Sequence, residues 1–206
     1  MPKFCVLVFI LIFSLNSLAQ SGRIAPSPVE STTNELNNLT SEQMFNEASN
    51  YIKVKIAEFE RQKIPPNTEL FNKTVLEQKQ LAAKYAAQIS TRENLSTDDF
   101  YYLGMLHSLA ENADGAGEAL RKFLAVENPN GEKAQTARSV LVTVAARQKK
   151  FDEAEKLLAE YLKNEPLKTS ERAKMASELT ESYKAEKNYA KAAVHAEEVY
   201  RTVINR

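Results

Sequence analysis

After Cys5 the chain has no further cysteine, so everything beyond the N-terminal segment lacks a thiol, a disulfide and a thiolate metal ligand, and its stability must come from packing alone. Histidine is almost as scarce. His107 and His195 stand 88 residues apart, and neither falls in an HExxH or CxxC-linked ligand set. That leaves no histidine-based metal motif. There is no excess of charge: 27 Lys and Arg balance 27 Asp and Glu, whereas a nucleic-acid or anionic-membrane binder needs a basic surplus to neutralise phosphates. Tryptophan is absent and glycine occurs five times. What remains is abundant Ala, Glu, Lys and Leu, a composition that favours helices.

The one long apolar run lies at the N-terminus. MPKFCVLVFILIFSLNSLA has a single Lys, an apolar block, and Ser17 and Ala19 at the third and first positions before a cut. This is the pattern of a secretory signal peptide over residues 1–19, cleaved after Ala19. The block is short of the roughly 20 apolar residues of a membrane span, and no stable membrane insertion is expected after cleavage. Cys5 comes too early, between bulky Phe4 and Val6, for a lipoprotein site. The expected location is therefore secreted or periplasmic. Residues 20–40 are rich in Ser, Thr, Asn and Pro and read as a flexible tether.

Residues 41–94 read as a long helical hairpin. Phe45, Ala48, Ile52, Ile56 and Phe59 recur at helical spacing, and Thr40 with Gln43 can form a capping box at the start. Pro65-Pro66 ends this helix. A second helix begins near Asn67, with Leu70 or Phe71, Thr74, Leu81, Tyr85 and Ile89 on its face.

From residue 95 a pattern repeats. Ala116, Ala154 and Ala192 stand 38 residues apart; Leu103, Leu141 and Leu179 precede them by thirteen; Leu120, Leu158 and Ala196 follow by four; Phe123, Tyr161 and Val199 follow by seven. Leu103-Gly104, Ala116 and Phe123, and the stretch FDEAEKLLAEYLKNEP from Phe151 to Pro166, resemble the tetratricopeptide repeat. The resemblance covers residues 95–206 in three copies, about 97–130, 135–167 and 169–206. Val142 and Thr180 stand where the family has a small residue, and the 38-residue period exceeds its usual one. The fold implied is all-α: an antiparallel helix hairpin followed by about three helix pairs in a short right-handed α-solenoid.

No catalytic constellation emerges. Asp98-Asp99 and Asp152-Glu153 stand at predicted helix starts, where carboxylates meet the positive end of the dipole. Gly115-Ala116-Gly117 lacks the spacing and Lys of a phosphate loop, and no serine sits in a G-x-S-x-G elbow. His107 and His195 read as packed structural histidines. Arg147, Lys149 and Lys150 read as solvated surface at a turn. No enzyme activity and no cofactor are expected, and nucleic acid is not an expected partner.

What the resemblance implies is a protein-interaction scaffold that binds a peptide or protein on the concave face of its helices. The positions it assigns to that face carry Tyr101, Met105 and Leu109, then Thr143 and Arg147, then Glu181 and Lys184. Tyr101, Ser139 and Ser177 occupy places where carboxylate-clamping relatives carry Lys and Asn, so that specialised activity is not implied. An alternative follows from layout: a signal peptide, a tether, a helical hairpin and degenerate repeats also resemble the region preceding the thioredoxin-like domain of some secreted bacterial redoxin proteins. A third reading is homo-oligomerisation through the last repeat, which has no polar capping helix after Val203 and Ile204.

Overall fold

Capping and turn chemistry set the helix limits. In the computed structural model, which describes residues 39–126 and 131–204 (203 and 204 by backbone only), the first helix, α1, spans Ser41–Arg61. Its capping box is formed: Gln43 N–H donates to Thr40 Oγ1 at 3.2 Å and Thr40 N–H to Gln43 Oε1 at 2.8 Å. Asn67 Oδ1 accepts from Glu69 N–H at 2.7 Å and opens α2, Thr68–Ser90. A second capping box, between Ser96 and Asp99, opens α3, Thr97–Leu109. Then follow α4 Ala113–Val126, α5 Glu132–Arg147, α6 Phe151–Lys163, α7 Thr169–Ala185 and α8 Tyr189–Ile204. Among the described residues there are eight helices and no strand. The signal-peptide reading and nearly all of the tether fall outside these residues, as do the side chains of Val203 and Ile204.

The helices pack as consecutive pairs, α1 with α2, α3 with α4, α5 with α6 and α7 with α8, and each pair stacks on the one before it. The fold is an all-α, solenoid-like stack. The first helices of the pairs touch in succession, α1 to α3 to α5 to α7, while α2 also lies against α3 and α4 against α5. The α1–α2 hairpin therefore occupies the place of a first pair in the stack.

The turn inside each pair repeats with the same period as the side chains. Glu111, Lys149 and Lys187 are spaced 38 residues apart, with φ of 60°, 59° and 59°. At each turn the residue after the left-handed one donates its N–H back into the first helix, Asn112 to His107 O, Lys150 to Ala145 O and Asn188 to Tyr183 O, all at 2.9 Å. This left-handed closure satisfies the last carbonyls of each first helix. Lys63, with φ of 56°, closes α1 the same way.

Two cores meet at α5. One gathers Tyr101, Tyr102, Leu120 and Phe123 against Val140, Leu141 and Val144; the other gathers Val142, Ala145 and Ala146 with Tyr161, Met175, Leu179 and Tyr183. Every residue of α5 from Ala137 to Ala146 is consequently buried. A helix that is apolar nearly all round belongs in an interior. Its polar residues are satisfied nearby: Thr143 donates to Ser139 O and Ser139 to Thr136 O, while Gln135 donates to Tyr161 O and Asn164 O. Between α3 and α4 the small residue at Gly104 is required. A Cβ there would lie 2.5 Å from Leu120 Cγ.

The stripe of α1 does not stay covered along its length: Ile56 is 40% exposed, Phe59 is only half-buried, and no residue of α1 beyond Ala48 is fully buried. On α2 full burial begins only at Thr74, and Phe71 is 49% exposed. The end of the hairpin thus runs about 12 Å beyond the next pair, at about 1.5 Å per residue over the excess length of α1 and α2, and the projecting part is a two-helix layer without a third element to cover it.

Candidate interaction surfaces

The seven residues assigned to a concave face do not share one open surface. Tyr101 is buried in the first core, with its ring 5.1 Å from that of Phe123 and Lys133 Nζ 5.6 Å from its centroid. Burial pushes its hydroxyl pKa up to about 12. Thr143 is buried inside α5. Met105 and Leu109 are half-buried on α3. Arg147 is exposed but makes a two-pronged contact with Glu178 of α7, at 2.9 and 2.8 Å, which raises its pKa. Glu181 and Lys184 are exposed on α7 and pair with each other at 2.9 Å. The first five follow the flank of α3 and α5 that meets the next pair, so stacking covers most of it. The last two lie where no further pair follows among the described residues.

The histidines are absorbed into packing, whereas Arg147, Lys149 and Lys150 are exposed at the α5–α6 turn. His107 is half-buried, and burial lowers its pKa. His195 is buried and stacks on Tyr183 at 5.7 Å, and Tyr183 stacks on Phe151 at 4.3 Å. His195 Nε2 lies 3.0 Å from Glu155 Oε1, which also accepts from Tyr183 Oη at 3.0 Å and Lys191 Nζ at 3.4 Å. Burial alone would raise the Glu155 pKa; the hydrogen bonds from His195 and Tyr183 outweigh it and hold the carboxyl below its usual range. This clasp ties α6 to α7 and α8. Lys149 is paired with Glu186 at 2.6 Å. Among the described residues no group of three or more His, Cys, Asp and Glu could hold a metal ion, and no helix is long and apolar enough to cross a membrane.

An open apolar surface lies at the tip of the projecting hairpin. There a cleft of about 440 Å³ is lined chiefly by Ile56, Phe59, Ile64, Pro65, Leu70 and Phe71, with Val54 and Leu76 exposed nearby at 58% and 54%. Its origin is local. Pro65-Pro66 keeps the turn from closing into helix, and beyond the body the ends of α1 and α2 have only each other to cover their apolar sides. The sequence pattern puts Ile56 and Phe59 on the apolar side of a helix without showing what covers them, and does not single out Ile64. The signal that would have found the cleft is length: α1 and α2 have 21 and 23 residues, against 13 and 14 in the next pair, so their outer halves outrun their neighbours. Compared with known proteins, the chain matches no family model and no curated protein.

Proposed function

We propose that this chain is a secreted, non-catalytic protein-interaction module of tetratricopeptide-like repeats, and that its projecting hairpin, rather than a concave face, receives an apolar segment of a protein or peptide partner. The observation that carries the reading is the open cleft around Phe71: exposed apolar surface gathered into a concavity is the ordinary form of a binding site. Supporting the repeat assignment are the shared 38-residue period of side chains and turns and the close approach of Leu120 to Gly104. The helix-pair body then serves as a rigid mount that holds the cleft away from itself.

A photo-crosslinking side chain placed at position 71 tests this in the native host. A discrete adduct that disappears when Ile64→Asp is added, with the melting temperature unchanged, is the expected outcome. Adducts formed instead from positions 105 and 109, and none from 71, would return the binding site to the concave face.

A further inference from the structure

The cleft at the tip of the α1–α2 hairpin has one charged residue in its lining, Glu60. It stands among apolar neighbours, one residue on from Phe59 and one helical turn on from Ile56. Two of the other polar residues of the lining are occupied within the chain: Asn67 Oδ1 accepts from Glu69 N–H at 2.7 Å, and Thr74 Oγ1 donates to Leu70 O at 2.8 Å. The cations and donors close to Glu60 in sequence turn elsewhere. Lys55 and Gln62 both donate to Glu58, at 2.9 and 3.2 Å, and Arg61 Nε donates back to Ala57 O at 3.4 Å. Lys63 is exposed on the left-handed turn. Among the described residues, no ion pair includes the carboxylate of Glu60.

We infer that the segment received by this cleft is a basic one: an apolar stretch of polypeptide that carries a lysine or arginine, which Glu60 recognises. The inference rests on the cleft being the binding site. Its physical ground is desolvation. While the cleft is open, water solvates the exposed carboxylate of Glu60. An occupant that covers Ile56 and Phe59 strips that water away, and a carboxylate desolvated without a cation is strongly unfavourable. No cation of this chain pairs with Glu60 to relieve the loss. A wholly apolar occupant would therefore forfeit much of what it gains on Phe71 and Ile64, which are 49% and 38% exposed. An acidic segment or an anionic lipid headgroup would add repulsion. An ammonium or guanidinium brought by the occupant reverses the sign, because excluding water strengthens the attraction between the pair. The long stem of a lysine or arginine also suits the place, since it packs along apolar surface while its charged end stays at the rim. Apolar contact then supplies the affinity, and Glu60 the discrimination.

A phage-displayed library of random short peptides, selected on the purified protein, provides the probe. Peptides retained by the wild type and released by Ile64→Asp should be apolar and carry Lys or Arg. Glu60→Lys should weaken such a peptide by roughly tenfold or more, with the melting temperature unchanged because the site is exposed. Replacing the peptide's own cation with glutamate should abolish binding to the wild type and restore it to Glu60→Lys, an exchange that a folding defect cannot produce. Peptides that depend on Ile64 yet carry no cation, or that bind Glu60→Lys as well as the wild type, would overturn the inference and leave the cleft standing as a binding site. A library that yields no retained peptide, or only peptides indifferent to Ile64→Asp, would overturn both.

Discussion

Helix α5 and the outer half of the α1–α2 hairpin dispose of their side chains in opposite ways. In α5 even Ser139 and Thr143 are 5% exposed; in the hairpin Ile56, Phe71 and Val54 are 40%, 49% and 58% exposed. Side-chain polarity does not account for the difference. Helix α5 has a pair stacked on each side, whereas the hairpin tip has one helix facing another and solvent beyond. Burial in a stacked fold follows the number of neighbouring layers, and polarity decides only whether that burial is tolerated. Ser139 and Thr143 tolerate it because each donates its hydroxyl to a carbonyl of its own helix.

Truncating an aromatic in each region puts this contrast to its most severe test. Phe123→Ala, at a fully buried site beside α5, should cost about 3–5 kcal/mol in urea unfolding, while Phe71→Ala at the tip should stay within about 1 kcal/mol. Equal costs would mean that the tip is covered after all. Gly104→Ala sharpens the point from the opposite direction. The extra methyl meets Leu120, and the overpacking should cost about 1–3 kcal/mol, offset in part by a gain of about 1 kcal/mol in helix propensity. A raised melting temperature would show that the α3–α4 contact yields easily.

Alkali should separate the regions next. Burial pushes the hydroxyl pKa values of Tyr101, Tyr161 and Tyr183 up to about 12, above the value of about 10 of an unfolded tyrosine. A raised folded pKa means that their contribution is complete below about pH 10 and is lost as pH rises towards 12. Ultraviolet titration should find these phenolates forming late, and the urea midpoint should fall over the same interval. Midpoints that hold steady to pH 12 would argue against it. The Glu155 clasp works in the acid direction. Its pKa is depressed in the fold, so its contribution is present above the ordinary carboxyl value and lost as pH falls through the folded one. Glu155→Gln should flatten the acid limb of the stability curve, and an unchanged limb would remove the clasp from the account. The smallest expected effect is Thr40→Ala, about 1 kcal/mol from the lost cap, measured as faster amide exchange in the first turn of α1.

Much of the architecture was legible because it rests on local signals. The Thr40–Gln43 capping box, the restart at Asn67 and the 38-residue spacing of Ala116, Ala154 and Ala192 each follow from residue types at short separations. The surfaces were harder to read. A stripe such as Ile52–Ile56–Phe59 announces that a helix has an apolar side, but it cannot tell how far along that side a neighbour extends. Thr143 was assigned to the concave face by the repeat register, yet it sits in Val140–Ala146, a run apolar on nearly every side; that run was the better guide to a helix enclosed all round. Tyr101 is buried for a related reason, since the flank that meets the next pair is exposed only where the stack ends.

The left-handed residues at Glu111, Lys149 and Lys187 carry a further consequence, for the length of the molecule. Each is a joint whose shape is fixed by one backbone angle and two main-chain hydrogen bonds, and Glu serves there as readily as Lys. A stack with interchangeable joints can be lengthened in whole units of 38 residues. Residues 131–168 copied in tandem should fold as one more pair, adding its own stability and that of one new junction. Size is then a variable that this design leaves free, altered by counting modules instead of redrawing a core.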